Sequence, residues 1–404
     1  MKFSVKVPGS RSFLRVAVVT PQPTPYRDPF WNTVAEQPGV ELDVFYCYAK
    51  GEDRPWEIDW PWRFRGEVLP GRALLGSHNG YWNPAILKRL REREYDAIIL
   101  GGYNHFTMLA AAWYAHRKKI PYLVMCESFH GLRRPWYSRV LKGPLVRWIV
   151  GGAAGILPTG LLARDYLVSY GGREEHCCFV PNVPDVCALY RLSLELSQQR
   201  EALRTVLGLR PGPVILFVGR LIWKKGVDIL IDALSGLCPR WDLQLVVAGD
   251  GPEKARLETQ VQRAGLGEHV RFVGFQQPRD LPQWYCAADV FVLPSRTEPW
   301  GVVVLEALAS GVPVVVTEKV GCHPDVVTHP RVGQVVPAED SEAMQQALAT
   351  FLQDLPCREE VHSLWEPVRE RMSYQAIAAN LVGLLTKITH QRLTPTEARR
   401  GELW

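Results

Sequence analysis

Between Leu293 and Val316 the chain reads LPSRTEPWGVVVLEALASGVPVVV, an order of residues that few folds accommodate. An apolar strand ends at Leu293 and gives way to a Pro/Ser/Arg/Thr loop that holds Glu298. Gly301 opens a strongly apolar helix with Glu306 on its second turn, Gly311 stops that helix, and a Val-rich strand follows. Strand, helix and strand joined this tightly make a βαβ unit, with parallel strands and a right-handed crossover. The loop lies at the carboxyl end of the first strand, where open α/β sheets take ligands. Glu306 has apolar neighbours on nearly every side, so its carboxylate needs a hydrogen-bonding partner. A salt-bridged core glutamate beside an ordinary loop glutamate is the plain account of the pair; two carboxylates facing one ligand is the other.

With 404 residues the chain outgrows one ordinary core, and two domains are expected. A composition of 47% hydrophobic and 22% charged residues belongs to a soluble globular protein. The net charge of +5 suits anionic ligands or a membrane surface. It lacks the concentrated basic stripe of a nucleic-acid binder, so no nucleic acid is expected as partner. The nine cysteines are scattered, odd in number and without a C-x-x-C pair, which predicts reduced thiols and no metal site. Arg15 interrupts the only early apolar run, against a signal peptide. No uninterrupted apolar stretch reaches the ~18 residues of a spanning helix. A cytoplasmic location is expected, with no transmembrane helix.

Leu14–Thr20 predicts a buried first strand, followed by the proline-stiffened loop Pro21–Asp28. A helix over 29–36 and a strand over 41–48 come next. The segment 49–80, rich in Trp, Arg and Pro, reads as irregular and suggests an acceptor-binding or lid role, or unrecognised strands. Helix 83–94, strand 95–100, helix 108–118, strand 122–125 and closing strands at 151–157 and 178–180 complete a first domain over 13–185. Residues 186–212 read as a linker with a polar helix near 193–207. A second series over 213–370 alternates strands at 214–218, 243–248, 270–273 and 290–293 with helices at 226–237, 253–264 and 281–287. Residues 371–404 hold a C-terminal helix crossing back to the first domain, and a tail. The expected fold is α/β, with two doubly wound Rossmann-like domains facing across a cleft. At 133–148, RRPWYSRVLKGPLVRW interleaves basic and aromatic residues, either as snorkelling surface helices or as a patch against anionic lipid.

The strand ends of the second domain carry the chemistry. Gly219-Arg220 ends its first strand, and Lys224-Lys225-Gly226 stands at the start of the next helix. Glycine lets backbone approach a ligand, Arg220 offers a forked donor and Lys225 a point charge, as a diphosphate requires. A strand-end turn with solvated bases is the plainer account. Gly249 and Gly274-Phe275 end the next two strands, where a base could stack or bond to backbone. The helix opening at Gly301 points the amides of Gly301, Val302, Val303 and Val304 at an anion. Carboxylates at Glu298 and Glu306 accept from hydroxyls. A molecule with both a diphosphate and many hydroxyls is a nucleotide-sugar. A nicotinamide-dependent oxidoreductase is the rival enzyme, but Lys254 breaks the G-x-G-x-x-G fingerprint that begins at Gly249.

The runs FVGRLIWKKG, AGDGPE, VRFVGF and ADVFVLPSRTEPWGVVVLEALASGVPVV resemble the donor domain of retaining GT-B glycosyltransferases, in particular family four. The resemblance covers about Pro213 to Pro337, with its Glu-x7-Glu motif at Glu298 and Glu306; the first half matches in general layout. It implies that Arg220 and Lys225 bind the donor diphosphate and that Glu306 takes the ribose hydroxyls. Glu298 would hold the donor sugar, while the amides from Trp300 to Val304 touch sugar and phosphate. It further implies retention of anomeric configuration, with no metal or other cofactor. The first domain departs from the pattern. The loop PTPYRD stands where many relatives carry Gly-Gly, making Tyr26 and Arg27 acceptor-side candidates. Relatives often end the strand at 122–125 with a histidine; here Glu127 takes that place and His130 follows. His130 is the preferred catalytic substitute, against a surface or capping histidine, and Glu127 and His105 are acceptor-side candidates. The acceptor expected is a glycan, a lipid-linked sugar or a small molecule. A non-catalytic nucleotide-sugar-binding protein of the same fold is the rival of another class.

Overall fold

The computed structural model describes residues 13–50, 61–74, 80–132 and 136–393. In the first half, β1 (Leu14–Thr20), α1 (Arg27–Ala35), β2 (Val40–Tyr46) and β3 (Arg65–Val68) follow in order. A short antiparallel pair follows, β4 (Arg72–Ala73) with β5 (Tyr81–Trp82). Next come α2 (Ala85–Glu92), β6 (Ala97–Leu100), α3 (Phe106–Lys118), β7 (Tyr122–Cys126), α4 (Trp136–Gly151), β8 (Gly155–Pro158) and α5 (Leu161–Ser169). Val16 to Val19 and Ala97 to Leu100 are wholly buried, because helices cover both faces of a parallel sheet.

The second half opens with α6 (Val186–Ser197) and α7 (Arg200–Val206). It continues with β9 (Val214–Val218), α8 (Val227–Ser235), β10 (Gln244–Ala248), α9 (Lys254–Arg263), β11 (Val270–Gly274), α10 (Leu281–Ala287) and β12 (Val290–Leu293). The opening sequence feature is β12, α11 (Val302–Ala309) and β13 (Val314–Thr317), with β12 and β13 paired in parallel. Then come α12 (His323–Val326), β14 (Gly333–Val336), α13 (Ser341–Gln353), α14 (Arg358–Arg371) and α15 (Tyr374–Leu393).

The strand orders are β3-β2-β1-β6-β7-β8 and β11-β10-β9-β12-β13-β14. Leaving out the β4/β5 pair, each sheet is wound 3-2-1-4-5-6, the Rossmann order. The winding reverses between β1 and β6 in one sheet and between β9 and β12 in the other. At those two points adjacent loops diverge and leave a crevice at the strands' carboxyl ends. The domains are joined by more than a linker. α15 packs on α1, with Phe30 and Tyr374 ring centroids 6.2 Å apart. One apolar cluster runs from β1 and α1 through α15 into the second sheet.

Three local expectations change. The polar helix near 193–207 is two helices, and the first starts earlier because Asp185 caps it, accepting from the Ala188 amide at 2.9 Å. Residues 178–180 form extended chain beside β8, with Cys178 N donating to Ile156 O at 3.1 Å and Val180 N to Pro158 O at 2.9 Å, and not a strand of their own. Within 49–80 the chain forms β3, β4 and the approach to β5, while 51–60 and 75–79 lie outside the described residues. Arg133 and Arg134, the start of the basic aromatic segment, also lie outside them.

Candidate active site

The crevice of the second sheet is bounded by the loops after β9 and β12. Gly219 N donates to Ala248 O at 3.0 Å and Gly249 N to Gly274 O at 2.7 Å, so the ends of β9, β10 and β11 are laced together. A Cβ on Gly249, whose φ is +154°, would lie 1.8 Å from the Gly219 carbonyl; only glycine fits there. Gly274 has open space around it, and Phe275 beside it is 42% exposed. Arg220 stands exposed at the end of β9. The chain then makes a 3-10 turn, Trp223–Lys225, before α8. The Lys225 ammonium meets the Glu298 carboxylate in an ion pair, with side chains 18% and 15% exposed. Glu298 is fixed by its backbone, donating to Lys319 O at 3.0 Å and accepting from Gly321 N at 2.9 Å.

Gly301, at φ +102°, turns the chain into α11 with no side-chain cap on the helix start. The amide of Val304 is not among those open to an anion, since it donates to Gly301 O at 3.0 Å. That leaves Gly301, Val302 and Val303 as the amides of the first turn. One turn on, Glu306 accepts from the Tyr285 hydroxyl at 2.7 Å. Burial pushes the Glu306 carboxyl up, and the phenol partly counters it. Tyr285 is itself 0% exposed, on α10. The plainer account, a salt-bridged Glu306 beside an ordinary loop Glu298, is thus reversed: the loop residue has the ion pair and the helical one a neutral partner.

Trp300 is 2% exposed and faces the first domain, its indole N–H donating to Asn182 O at 2.7 Å. Asn182 in turn donates from its side chain to Glu127. Arg27 closes the group by donating to Pro181 O and Val180 O, both at 3.1 Å. Burial holds its guanidinium down to about 10, opposed by the nearby Glu127. The Tyr26 carbonyl lies 3.3 Å from the Tyr374 hydroxyl on α15. Arg27, Glu127 and Trp300 therefore converge where the domains meet. A second tie lies beside them: Asp325 of α12 accepts from the Leu161 amide at 3.1 Å. A Cβ on Gly160 would lie 2.4 Å from the Trp300 ring and 2.5 Å from Asp325 Oδ2, so the two domains touch here through a glycine.

His130 and His105 fall elsewhere. His130 is 3.2 Å from Ser169 Oγ and 5.2 Å from the Tyr166 ring. Ser169 ends α5, about 12 Å along the helix from Leu161 at the seam. His105 is 3% exposed, precedes α3 and accepts from Tyr81 N at 3.2 Å, as a packing residue does. Among the described residues no three His, Cys, Asp or Glu side chains gather as a metal would need. Sequence reasoning missed Tyr285, Asn182 and Asp325, because nothing local marks a residue whose partner is distant in the chain.

Two Rossmann-like domains, each with a switch-point crevice opening on a shared seam, are the GT-B architecture of glycosyltransferases. Residues 10–183 match the family described as Glycosyl transferase 4-like domain, and 199–376 that described as Glycosyl transferases group 1. The chain belongs to the group 1 glycosyltransferases. It is 32% identical over 313 residues to an uncharacterized glycosyltransferase of Methanocaldococcus jannaschii, a match covering 72% of this chain and 78% of that one. It is 34% identical over 201 residues to the lipopolysaccharide core biosynthesis mannosyltransferase LpsB of Rhizobium meliloti, covering 48% of this chain but only 56% of that protein. Among solved structures it resembles Anabaena HepE in complex with UDP, with a TM-score of 0.70 over 93% of this chain and 100% of that one. At 22% identity that likeness speaks for the fold.

Proposed function

We propose that this glycosyltransferase takes a sugar from a nucleoside diphosphate donor on the second domain and passes it, with retention, to an acceptor entering from the first. The observation that carries the reading is the Lys225–Glu298 pair at the second switch point, beside the uncapped start of α11. Arg220 and Lys225 neutralise the diphosphate as negative charge develops on the leaving group. The amides of Gly301, Val302 and Val303 add the partial positive charge of a helix start. Glu298 accepts from hydroxyls of the donor sugar, and Glu306 from those of the ribose. In the transfer step the acceptor oxygen bonds to the anomeric carbon on the face the phosphate leaves. The bond from that carbon to the phosphate oxygen breaks, and the departing phosphate takes the acceptor's proton. Uridine diphosphate, which HepE holds, is the first nucleotide to try. Glu127 and Arg27 face the acceptor.

One further observation supports a lipid-linked acceptor and work at an anionic membrane surface, in polysaccharide or glycoconjugate assembly. α3 and α4 contain no Asp or Glu and share a core through Ala111, Ala115 and Ile149. Outside that core they expose Trp113, Leu145 and Trp148 beside Arg117, Lys118 and Arg147. Apolar anchors within a basic surface suit an interfacial protein. No helix of the described residues is long and apolar enough to cross a membrane.

The test is to incubate the chain with UDP-, GDP-, ADP- and dTDP-sugars and a lipid-linked sugar acceptor, following the anomeric proton by NMR. An α-linked product from an α-linked donor is expected, and a β-linked product refutes retention. Glu306→Ala should abolish donor turnover while the fold persists; unchanged donor kinetics in that variant remove the site assignment.

A further inference from the structure

Arg296 sits in the loop between β12 and α11, two residues before Glu298, and is only 6% exposed. A charge buried so deeply requires partners. Its Nη1 donates to the Trp223 carbonyl at 2.9 Å and to Asp228 Oδ1 at 2.8 Å. Its Nη2 donates to Asp228 Oδ2 at 2.8 Å, completing a two-toothed fork. Nε donates to Glu339 at 3.2 Å, and the guanidinium lies 4.8 Å from the centre of the Trp223 ring. The backbone amide of Arg296 donates to the Lys224 carbonyl at 2.8 Å. Trp223 and Lys224 belong to the turn that ends in Lys225, and Asp228 lies in the first turn of α8 just beyond it. One side chain thus grips the Lys225 turn from before and behind.

We infer that Arg296 is a positioning residue, which locks the loop bearing Lys225 to the loop bearing Glu298 so that both side chains meet the donor as one preset unit. This rests on the donor-site reading above. The strands beneath are already registered, since β12 pairs with β9 through Val290–Ile215 and Phe291–Leu216. What Arg296 adds is the relative placement of the loops beyond the strand ends. Lys225 hangs on a flexible four-carbon stem, so a displaced turn moves its charge away from a diphosphate. A lysine at 296 would keep the charge but could not reach the Trp223 carbonyl and both Asp228 oxygens together.

A double-mutant cycle on the full chain tests this, with dissociation constants measured calorimetrically for UDP, GDP and ADP and the cycle run on the tightest of the three. Arg296→Lys and Lys225→Ala are each expected to weaken the probe about tenfold, and the double variant about tenfold rather than a hundredfold. With the thermal unfolding midpoint of Arg296→Lys unchanged, non-additivity of that kind places the loss at Lys225 and not in the fold as a whole. Asp228→Asn removes one charge from the other side of the fork, and should reproduce the pattern if Arg296→Lys does not fold. Losses that multiply, or wild-type binding in both Arg296→Lys and Asp228→Asn, overturn the positioning role. No binding of any probe, or no loss in Lys225→Ala, would instead sink the donor-site reading and this proposal with it.

Discussion

Replacing Asp325 with Asn should change how the stability of this chain depends on pH, with the sign set by the burial of its carboxyl at the seam. Asp325 is 8% exposed at the seam between the domains, and its carboxylate accepts from the Leu161 amide at 3.1 and 3.3 Å. Burial pushes its carboxyl up to about 6, with the Leu161 amide, Arg371 and Arg164 pulling the other way and Asp165 adding to the rise. The unfolded value is about 3.9. Between these values the native chain binds the proton and the unfolded chain has released it, so stability falls as pH rises. The favourable protonated state is complete below about pH 4 and its benefit is lost as pH passes through 6. A gap of about two units is worth about 3 kcal/mol. Asparagine does not titrate, and its Oδ1 can still accept from Leu161. Urea unfolding of both proteins from pH 4 to pH 8 should therefore show Asp325→Asn gaining about 3 kcal/mol on the wild type across that range. A stability difference that stays constant with pH would refute the reasoning.

Tyr285→Phe removes the hydroxyl that donates to Glu306 and leaves a buried carboxyl without that partner, at a cost of about 1–3 kcal/mol. Thermal unfolding and donor KM should both worsen; because Tyr285 is fully buried, wild-type values in both would show that Glu306 is held by something else. For the proposed membrane face, Trp148→Ala combined with Arg147→Ala should reduce flotation with phosphatidylglycerol vesicles and leave turnover of a water-soluble acceptor unchanged. Equal flotation of variant and wild type would return α4 to an ordinary surface helix.

The second domain was legible because its sequence signals are local. A strand that is apolar on both faces, a glycine at its carboxyl end and a helix behind it occupy a few consecutive residues, and β9 and β10 follow that pattern. Gly249 could be singled out as the backbone neighbour of a ligand, although its first constraint is the Gly219 carbonyl. The first domain was legible in layout and not in its site. Glu127 and His130 are three residues apart in sequence, yet one bonds to Asn182 and the other to Ser169 on α5. No periodicity could separate them, because the choice is made by which later segment packs over the end of β7. His105 shows the same limit in reverse. A histidine after Gly-Gly at a strand end has the look of a ligand group, and its partner, the Tyr81 amide, comes from a short hairpin that carries no strand signal of its own.

The seam also bears on how the site is assembled. Trp300 immediately precedes Gly301, the residue that turns the chain into α11, and its indole is anchored to the Asn182 carbonyl of the first domain. Its ring edge lies against Gly160, at the start of α5. The first turn of α11 therefore cannot shift alone: moving it pulls the indole from Asn182 and strands a buried N–H, at about 1–3 kcal/mol. Separating the domains does the same from the other side and also removes the Leu161 amide from Asp325. The orientation of the α11 amides and the approach of the two domains are thus governed by one set of contacts. If the donor sits on the second domain and the acceptor on the first, as proposed, closure and assembly of the donor site become a single event.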